Sequence, residues 1–238
     1  MNYLSILTSF KNESIILKEW LDHHISQGFE HFYLIDNGST DNFMPILAPY
    51  IEQGIITLFN IPEPYTRTQN FNKVFNEIKH NTEWISICDV DDFWYTDIGT
   101  VIEYVRITDN ENCSEISTIP RVFGTNRYNI QPKSVRQICN QIISKPTIKS
   151  ITKTAAVEII KVDIESNSLL KSGSVTKLEV NEISINTYKE TSLERFLDIR
   201  LYRTHPDYKN KIRSWCNYYS LRVFQEDFKL AERSQKTY

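Results

Sequence analysis

Strand and helix patterns alternate through the first 90 residues, and this alternation restricts the fold more than any other feature. In chain order the pattern predicts strand 3–9, helix 13–27, strand 31–35, strand 55–61, helix 68–80 and strand 83–88. Gly28 is suited to end the first helix. Strands that alternate with helices usually pair in parallel and carry the helices on their faces. The sequence therefore predicts an α/β fold with a mostly parallel central sheet.

The pattern is weaker in the second half of the chain. A helix is predicted from after Thr96 to about 108, strands at 156–164 and 182–187, and helices at 192–203 and from His205 onward. Prolines interrupt the segment 115–165, which reads as strands and long loops. A chain of 238 residues can form one substantial core. We therefore expect one domain at 1–203, followed by a C-terminal extension at 204–238.

Composition argues against several classes of function. The formal net charge of −3 gives no support to nucleic-acid binding. The cysteines form no CxxC pair, which is typical of reduced thiols in a cytosolic protein rather than a disulfide framework or a zinc site. No stretch approaches the roughly 20 apolar residues of a transmembrane helix, and the N-terminus has no signal-peptide pattern. The sequence therefore predicts a cytoplasmic protein.

Three carboxylates stand where a predicted core strand reaches solvent. Asp89, Asp91 and Asp92 directly follow the apolar run 83–88. Because side chains alternate along a strand, Asp89 and Asp91 share a face, with Cα atoms about 6.5 Å apart. Such a pair can bind one divalent ion and leave some of its coordination sites open for a phosphate. The carboxyl ends of strands are also where open α/β sheets bind ligands. The structural alternative is an acidic turn that starts the next helix.

Several ordered motifs accompany this acidic stretch. They are Lys11-Asn12-Glu13, Glu19-Trp20-Leu21-Asp22-His23-His24, Asp36-Asn37-Gly38-Ser39-Thr40-Asp41, Gln69, Trp84, Asp89-Val90-Asp91-Asp92-Phe93 and Arg121-Val122-Phe123-Gly124. Their order and spacing over the first 125 residues resemble glycosyltransferase family 2-like and family 92-like enzymes. Agreement of several ordered motifs is far more specific than an Asp-x-Asp triplet alone.

The resemblance implies a GT-A fold, a Rossmann-like nucleotide-diphospho-sugar transferase sandwich with a mostly parallel central sheet and C-terminal helices. It also implies an inverting, hexosyltransferase-type enzyme that takes a sugar from a UDP-sugar donor. The acceptor would be a glycan or a lipid-linked molecule, in the assembly of a surface polysaccharide or lipooligosaccharide. In this picture residues 1–125 bind the nucleotide sugar and residues 126–203 form the acceptor half.

The resemblance assigns the donor site residue by residue. The Asp36 carboxylate would accept a hydrogen bond from the uracil edge. Asp89 would contact the ribose or the metal's water, and Asp91 would ligate Mn²⁺ or Mg²⁺, so both are predicted metal-site residues. The ion would bridge the two phosphates and neutralise the leaving UDP. Further predicted nucleotide-sugar-binding residues are Thr8, Lys11, Glu13, Arg67 and Gln69. Arg67 would bind the base or the diphosphate, or else remain a solvated loop arginine.

The downstream half departs from the pattern. Where family 92-like enzymes carry an Asn-His-Tyr block, this chain has Asn186-Thr187-Tyr188, and the histidine position is Thr187. Inversion needs a base that removes the acceptor hydroxyl proton. Candidate bases are Glu158, Asp163 and Glu165, of which Glu158 and Asp163 alternate to opposite strand faces; Asp92 is a further candidate catalytic residue. For Asp92 three roles stay open: it turns inward, caps the next helix or reaches the acceptor.

The C-terminal segment 204–238 is basic and aromatic. Residues 200–238 hold nine Lys and Arg against four Asp and Glu, about +5 in a chain of net −3. Such a helix suits peripheral contact with the inner, anionic face of a membrane. The alternative is a helix docked on the catalytic domain with its charges in solvent.

Three classes of function follow from these observations. The leading hypothesis is the metal-dependent glycosyltransferase. A nucleotidyltransferase ranks low because the segment Ser9–Glu13 after the first strand lacks the glycine-rich phosphate loop. A non-enzymatic GT-A scaffold that binds nucleotide or glycan without turnover is kept open by the missing family histidine.

Overall fold

The computed structural model describes residues 1–62, 66–124, 141–143, 148–162, 168–178 and 182–188. The helices and strands follow in the order β1 (Asn2–Phe10), α1 (Ser14–Ser26), β2 (His31–Asp36), α2 (Met44–Glu52), β3 (Ile56–Asn60), α3 (Arg67–Ile78), β4 (Thr82–Ile87), β5 (Asp92–Thr96), α4 (Val101–Thr108), β6 (Glu115–Thr118), β7 (Arg121–Gly124), β8 (Gln141–Ile143), β9 (Lys149–Lys153), β10 (Val157–Ile160), β11 (Ser168–Leu170), β12 (Thr176–Leu178) and β13 (Ile183–Tyr188).

Seven strands form the central sheet in the order β12-β6-β9-β4-β1-β2-β3. The strands β4, β1, β2 and β3 pair with one another in parallel, whereas β9 runs antiparallel to both β4 and β6. The predicted α/β fold with a mostly parallel sheet is confirmed. One helix, α2, was not predicted, because Pro45 and Pro49 interrupt its helical pattern.

The order of the strands creates a switch point. From β1 the chain moves outward through β2 to β3, and then returns to place β4 on the other side of β1. The loops that leave β1 and β4 therefore diverge at the same edge of the sheet. In open α/β sheets a crevice forms at such a point, outside the carboxyl ends of the strands.

Each face of the central sheet carries a separate apolar core. Leu4 and Ile6 of β1 pack on the α1 side with Trp20, whereas Leu7 packs on the α3 side with Phe71. These five residues are completely buried. The division follows from the alternation of side chains along a strand, which sends neighbouring residues to opposite faces.

A second sheet has the strand order β5-β13-β7-β8, with β5 antiparallel to β13. A separate hairpin, β10 with β11, packs against α3, where the Asn72 side-chain amide bonds both backbone groups of Ile160. Among the ranges described above, no helix has both the length and the apolar character needed to cross a membrane. The predicted helices at 192–203 and beyond His205 lie outside the described residues.

Candidate functional site

The acidic stretch forms a closed turn between β4 and β5. The Asp92 backbone N–H donates to the Asp89 carbonyl at 3.0 Å, and the Asp92 carboxylate accepts the Asp89 N–H at 2.9 Å. The Tyr188 N–H donates to the Asp91 carbonyl at 2.7 Å, which ties the turn to β13. Carboxylate oxygens of Asp89, Asp91 and Asp92 all lie within 4.8 Å of one another. The structure therefore brings the three predicted aspartates together.

Two cations are paired with this turn. Arg67, the first residue of α3, forms an ion pair with Asp89. Lys149 lies on β9, and its Nζ is 2.7 Å from the Asp92 carboxylate and 3.2 Å from that of Asp89. Three carboxylates and two cations leave the cluster with a formal charge of −1. Lys149 belongs to none of the motifs in the sequence, and no spacing rule could have found it.

These ion pairs shift the pKa values of their members in opposite directions. Burial opposes the ionised carboxylate of Asp89, but Lys149 and Arg67 outweigh burial and hold the pKa of Asp89 well below its usual range. Burial likewise opposes the ammonium of Lys149, yet Asp89 and Asp92 hold the pKa of Lys149 well above its usual range. Both cations and Asp89 are therefore charged at neutral pH.

Asp92 turns inward. Its side chain is completely buried, and the Thr187 hydroxyl donates to its second carboxylate oxygen. Thr187, at the position of the family histidine, therefore contacts the acidic turn directly. The suggestion that Asp92 caps the next helix is wrong, because Asp92 begins the strand β5. The acidic turn is followed by a strand because one edge of β5 pairs with β13 and the other edge is covered by α1.

Side chains of α1 hold that strand in place. The Trp20 indole N–H donates to the Asp92 carbonyl at 2.9 Å, and His23 Nε2 donates to the Trp94 carbonyl at 2.6 Å. His24 donates from Nδ1 to the Trp20 carbonyl and accepts the Trp94 N–H at Nε2, so its ring is neutral. The Glu-Trp-Leu-x-x-His motif thus satisfies backbone groups on the edge of β5 that does not pair with β13. This positioning role was not predicted.

The Lys-Asn-Glu motif and the loop after β2 form one unit. Asn12 has a φ of 56°, and its side-chain oxygen accepts from the backbone N–H of Thr40 at 2.7 Å and of Asp41 at 3.3 Å. The Asp41 carboxylate accepts the Ser14 N–H at 2.7 Å, so it caps α1 from a separate loop. The loops that follow β1 and β2 therefore hold each other in place through these two motifs.

Asp36 lies at the carboxyl end of β2, opposite Phe10 of β1. It is 5% exposed, and one carboxylate oxygen accepts the Ser39 N–H at 2.8 Å. The strands β2 and β4 are the two neighbours of β1. Asp36 and the Asp89 turn consequently stand on either side of the β1 strand end.

The other predicted donor-site residues have varied surroundings. Thr8 is completely buried near the end of β1, and its hydroxyl has no hydrogen-bond partner among the residues that the structure describes. Glu13 is 2% exposed, and its carbonyl accepts the first helical hydrogen bonds of α1. Lys11 is half-buried in the loop after β1. Gln69 forms a capping box with Thr66 at the start of α3.

The candidate bases lie downstream of the acidic turn in the sequence. Glu158 is exposed on β10, between the buried Val157 and the exposed Ile159, in the hairpin beside α3. Asp163 and Glu165 lie outside the described residues. All three remain sequence predictions.

The comparisons with known proteins agree with this architecture. The sequence model of glycosyltransferase family 92 matches residues 5–230. A family 92 protein of Ricinus communis is 24% identical over 212 residues, which cover 84% of this chain and 37% of that protein. One of Oryza sativa subsp. japonica is 22% identical over 201 residues, which cover 82% of this chain and 34% of that protein. The chain thus spans little more than a third of the length of these relatives.

Solved structures identify the fold. The crystal structure of S. aureus TarS 1–349, also solved in complex with UDP, is similar with a TM-score of 0.50 and 15% identity. The similarity covers 84% of this chain and 64% of that one. Such neighbours are GT-A glycosyltransferases, so the chain has the GT-A fold. Because the family match runs through nearly all of its length, the chain belongs to glycosyltransferase family 92.

Proposed function

We propose that the chain is an inverting, metal-dependent glycosyltransferase that moves a sugar from a UDP-sugar to a glycan or lipid-linked acceptor. Assembly of a surface polysaccharide or lipooligosaccharide is the setting that this acceptor class suggests. The observation that carries the proposal is the position of the Asp89–Asp92 turn, which closes the carboxyl end of β4 at the switch point of the sheet.

The aspartate turn fits a divalent ion. Its carboxylate oxygens lie within 4.8 Å of one another, and hard oxygen ligands suit Mn²⁺ or Mg²⁺. Asp91 and Asp89 would hold the ion, because neither is fully buried, whereas Asp92 is. When bound, the ion supplies positive charge that stabilises the departing diphosphate.

The donor nucleotide would lie across the end of β1. Asp36 on one side offers a carboxylate oxygen to a base N–H, and Arg67 on the other offers a guanidinium to a phosphate. The UDP complex of the structurally similar TarS supports a uridine nucleotide as the ligand class.

Inversion requires a base on the acceptor side. The Asp92 carboxylate accepts hydrogen bonds from the Asp89 N–H and the Thr187 hydroxyl and pairs with Lys149, which favours a supporting role over proton transfer. Glu158, Asp163 and Glu165 therefore remain the predicted bases. Contact of the segment 204–238 with a membrane also stays a prediction.

The first test is calorimetry of UDP binding with and without Mn²⁺. We expect Mn²⁺-dependent binding in the wild type, its loss in Asp91→Ala and its retention in Asp97→Ala. Asp97 is an exposed aspartate in the loop after β5, so its replacement controls for a general loss of charge. If Asp91→Ala binds UDP with Mn²⁺ as tightly as Asp97→Ala does, the proposed donor site is refuted.

A non-enzymatic scaffold remains the second candidate, because Thr187 replaces the histidine that the resemblance leads us to expect. A UDP-release assay with a panel of UDP-sugars, in which water takes the sugar when no acceptor is present, separates the two functions. The enzyme releases UDP from at least one donor, and this release is lost in Asp91→Ala. A scaffold binds UDP with Mn²⁺ but releases none from any donor.

A further inference from the structure

Two cations pair with the aspartate turn, Asp89–Asp92, and Lys149 is the less exposed of the two. Its side chain is 14% exposed, against 37% for Arg67. It projects from β9, an internal strand with β4 on one side and β6 on the other. Arg67 lies on the first turn of the helix α3, outside the sheet. Lys149 is therefore the cation that the central sheet itself carries, paired in register with Thr118 of β6.

This lysine reduces the charge that an incoming cation meets. Without Lys149 the cluster would have a formal charge of −2 instead of −1. Lys149 also occupies one carboxylate oxygen of Asp89 and one of Asp92. Attraction between the turn and a divalent ion is correspondingly weaker, because the Coulomb energy scales with the product of the charges.

We propose that Lys149 is a positioning residue that makes divalent-ion binding dependent on the nucleotide. The aspartate turn alone holds the ion weakly, and a nucleoside diphosphate restores affinity by adding negative charge and phosphate oxygen ligands. Metal and nucleotide then bind as a pair. The inference rests on the proposed function, since it assumes that the turn receives both ligands.

Mn²⁺ titration followed by electron paramagnetic resonance tests this proposal without any assay of turnover. Free Mn²⁺ is counted in the absence and presence of UDP. The wild type should bind Mn²⁺ weakly alone and much more tightly with UDP. Lys149→Met should bind Mn²⁺ alone about tenfold more tightly than the wild type, and UDP should add less to its affinity.

Lys153→Met is the matched control. Lys153 lies four residues along the same strand, is 24% exposed, and pairs with Asp109 at 2.8 Å, outside the aspartate turn. It should bind Mn²⁺ as the wild type does, with and without UDP. Equal tightening in both lysine variants would show that the effect is one of net protein charge, and would overturn the specific role of Lys149.

Two further variants keep the test decisive if Lys149→Met folds poorly. Lys149→Arg retains the charge and should preserve weak binding of Mn²⁺ alone. The double variant Asp92→Asn with Lys149→Met removes both members of the buried pair and returns the formal charge to −1. Its affinity for Mn²⁺ alone should return to the wild-type range.

The outcomes separate this inference from the proposed function. If wild-type protein binds Mn²⁺ only with UDP and Lys149→Met does the same with unchanged affinities, Lys149 has no such role and the proposed function stands. If wild-type protein binds Mn²⁺ neither alone nor with UDP, the proposed metal site itself fails, and this inference with it.

Discussion

Replacing Asp92 by asparagine should destabilise the protein far more than the same change in an exposed ion pair of equal length. The Lys149–Asp92 pair is 2.7 Å long with side chains 14% and 0% exposed, whereas the Lys18–Asp22 pair is 2.6 Å long with side chains 69% and 49% exposed. Asp92→Asn and Asp22→Asn therefore compare the same chemistry at opposite extremes of burial.

The expected magnitudes follow from desolvation. Removing one member of a buried ion pair leaves an uncompensated buried charge and costs about 3–5 kcal/mol of unfolding free energy. Lys149 retains Asp89 at 3.2 Å, so we expect a loss near 3 kcal/mol for Asp92→Asn, the lower end of that approximate range. Asp22→Asn should cost about 0.5 kcal/mol or less, because water already solvates both partners.

Urea unfolding followed by tryptophan fluorescence measures both losses. Trp20, Trp84 and Trp94 are completely buried, so unfolding changes their surroundings strongly. The midpoint of Asp92→Asn should fall by about 1 M, with little change for Asp22→Asn. Equal shifts in the two variants would refute the claim that burial gives the Asp92 pair its importance.

Two further predictions concern pH and backbone conformation. The lowered pKa of Asp89 contributes stability that is present above the unfolded pKa of about 3.9 and is lost as pH falls toward the folded pKa. Arg67→Gln removes one cause of this shift, so the urea midpoint should fall less steeply below about pH 4 in the variant; parallel curves would contradict this. Gly28 has a φ of +87°, and an added Cβ would stand 2.2 Å from Ile102 Cγ2, whereas Gly54 has a φ of +71° and open space around it. Gly28→Ala should therefore cost more than the roughly 1 kcal/mol expected for Gly54→Ala in thermal or urea unfolding, and equal losses would show that the clash is relieved.

The elements that sequence reasoning predicted well are those with strong local periodicity. The helix predicted at 13–27 is α1, and the strand predicted at 83–88 is β4, each within two residues at either end. The helix α2 was missed, because its two prolines mask a helical pattern that packing of Leu47 stabilises. Periodicity reports local conformation, whereas tertiary contacts decide whether a weak element forms.

The sequence shows which motifs are present, but it does not show what their residues do in the structure. Trp20, His23 and His24 were noted as parts of a family pattern, but their hydrogen bonds to the backbone of β5 depend on how α1 lies against that strand. The side-chain hydrogen bond of Asn12 similarly depends on the loop that holds Thr40, 28 residues away in the sequence. A motif identifies the residues, whereas the packing of helices and strands determines which backbone groups these residues hydrogen-bond.

The sequence by itself determined that this is an α/β chain, that three aspartates follow a core strand, and that the motif order is that of a known glycosyltransferase group. Tertiary structure alone decided how the aspartates are charged and supported. Lys149 reaches Asp89 across 60 residues of sequence, and Thr187 reaches Asp92 across 95. The physical reason is that both contacts arise where strands distant in sequence come together beside the turn, and the order of strands in a sheet leaves no periodic signal in the sequence.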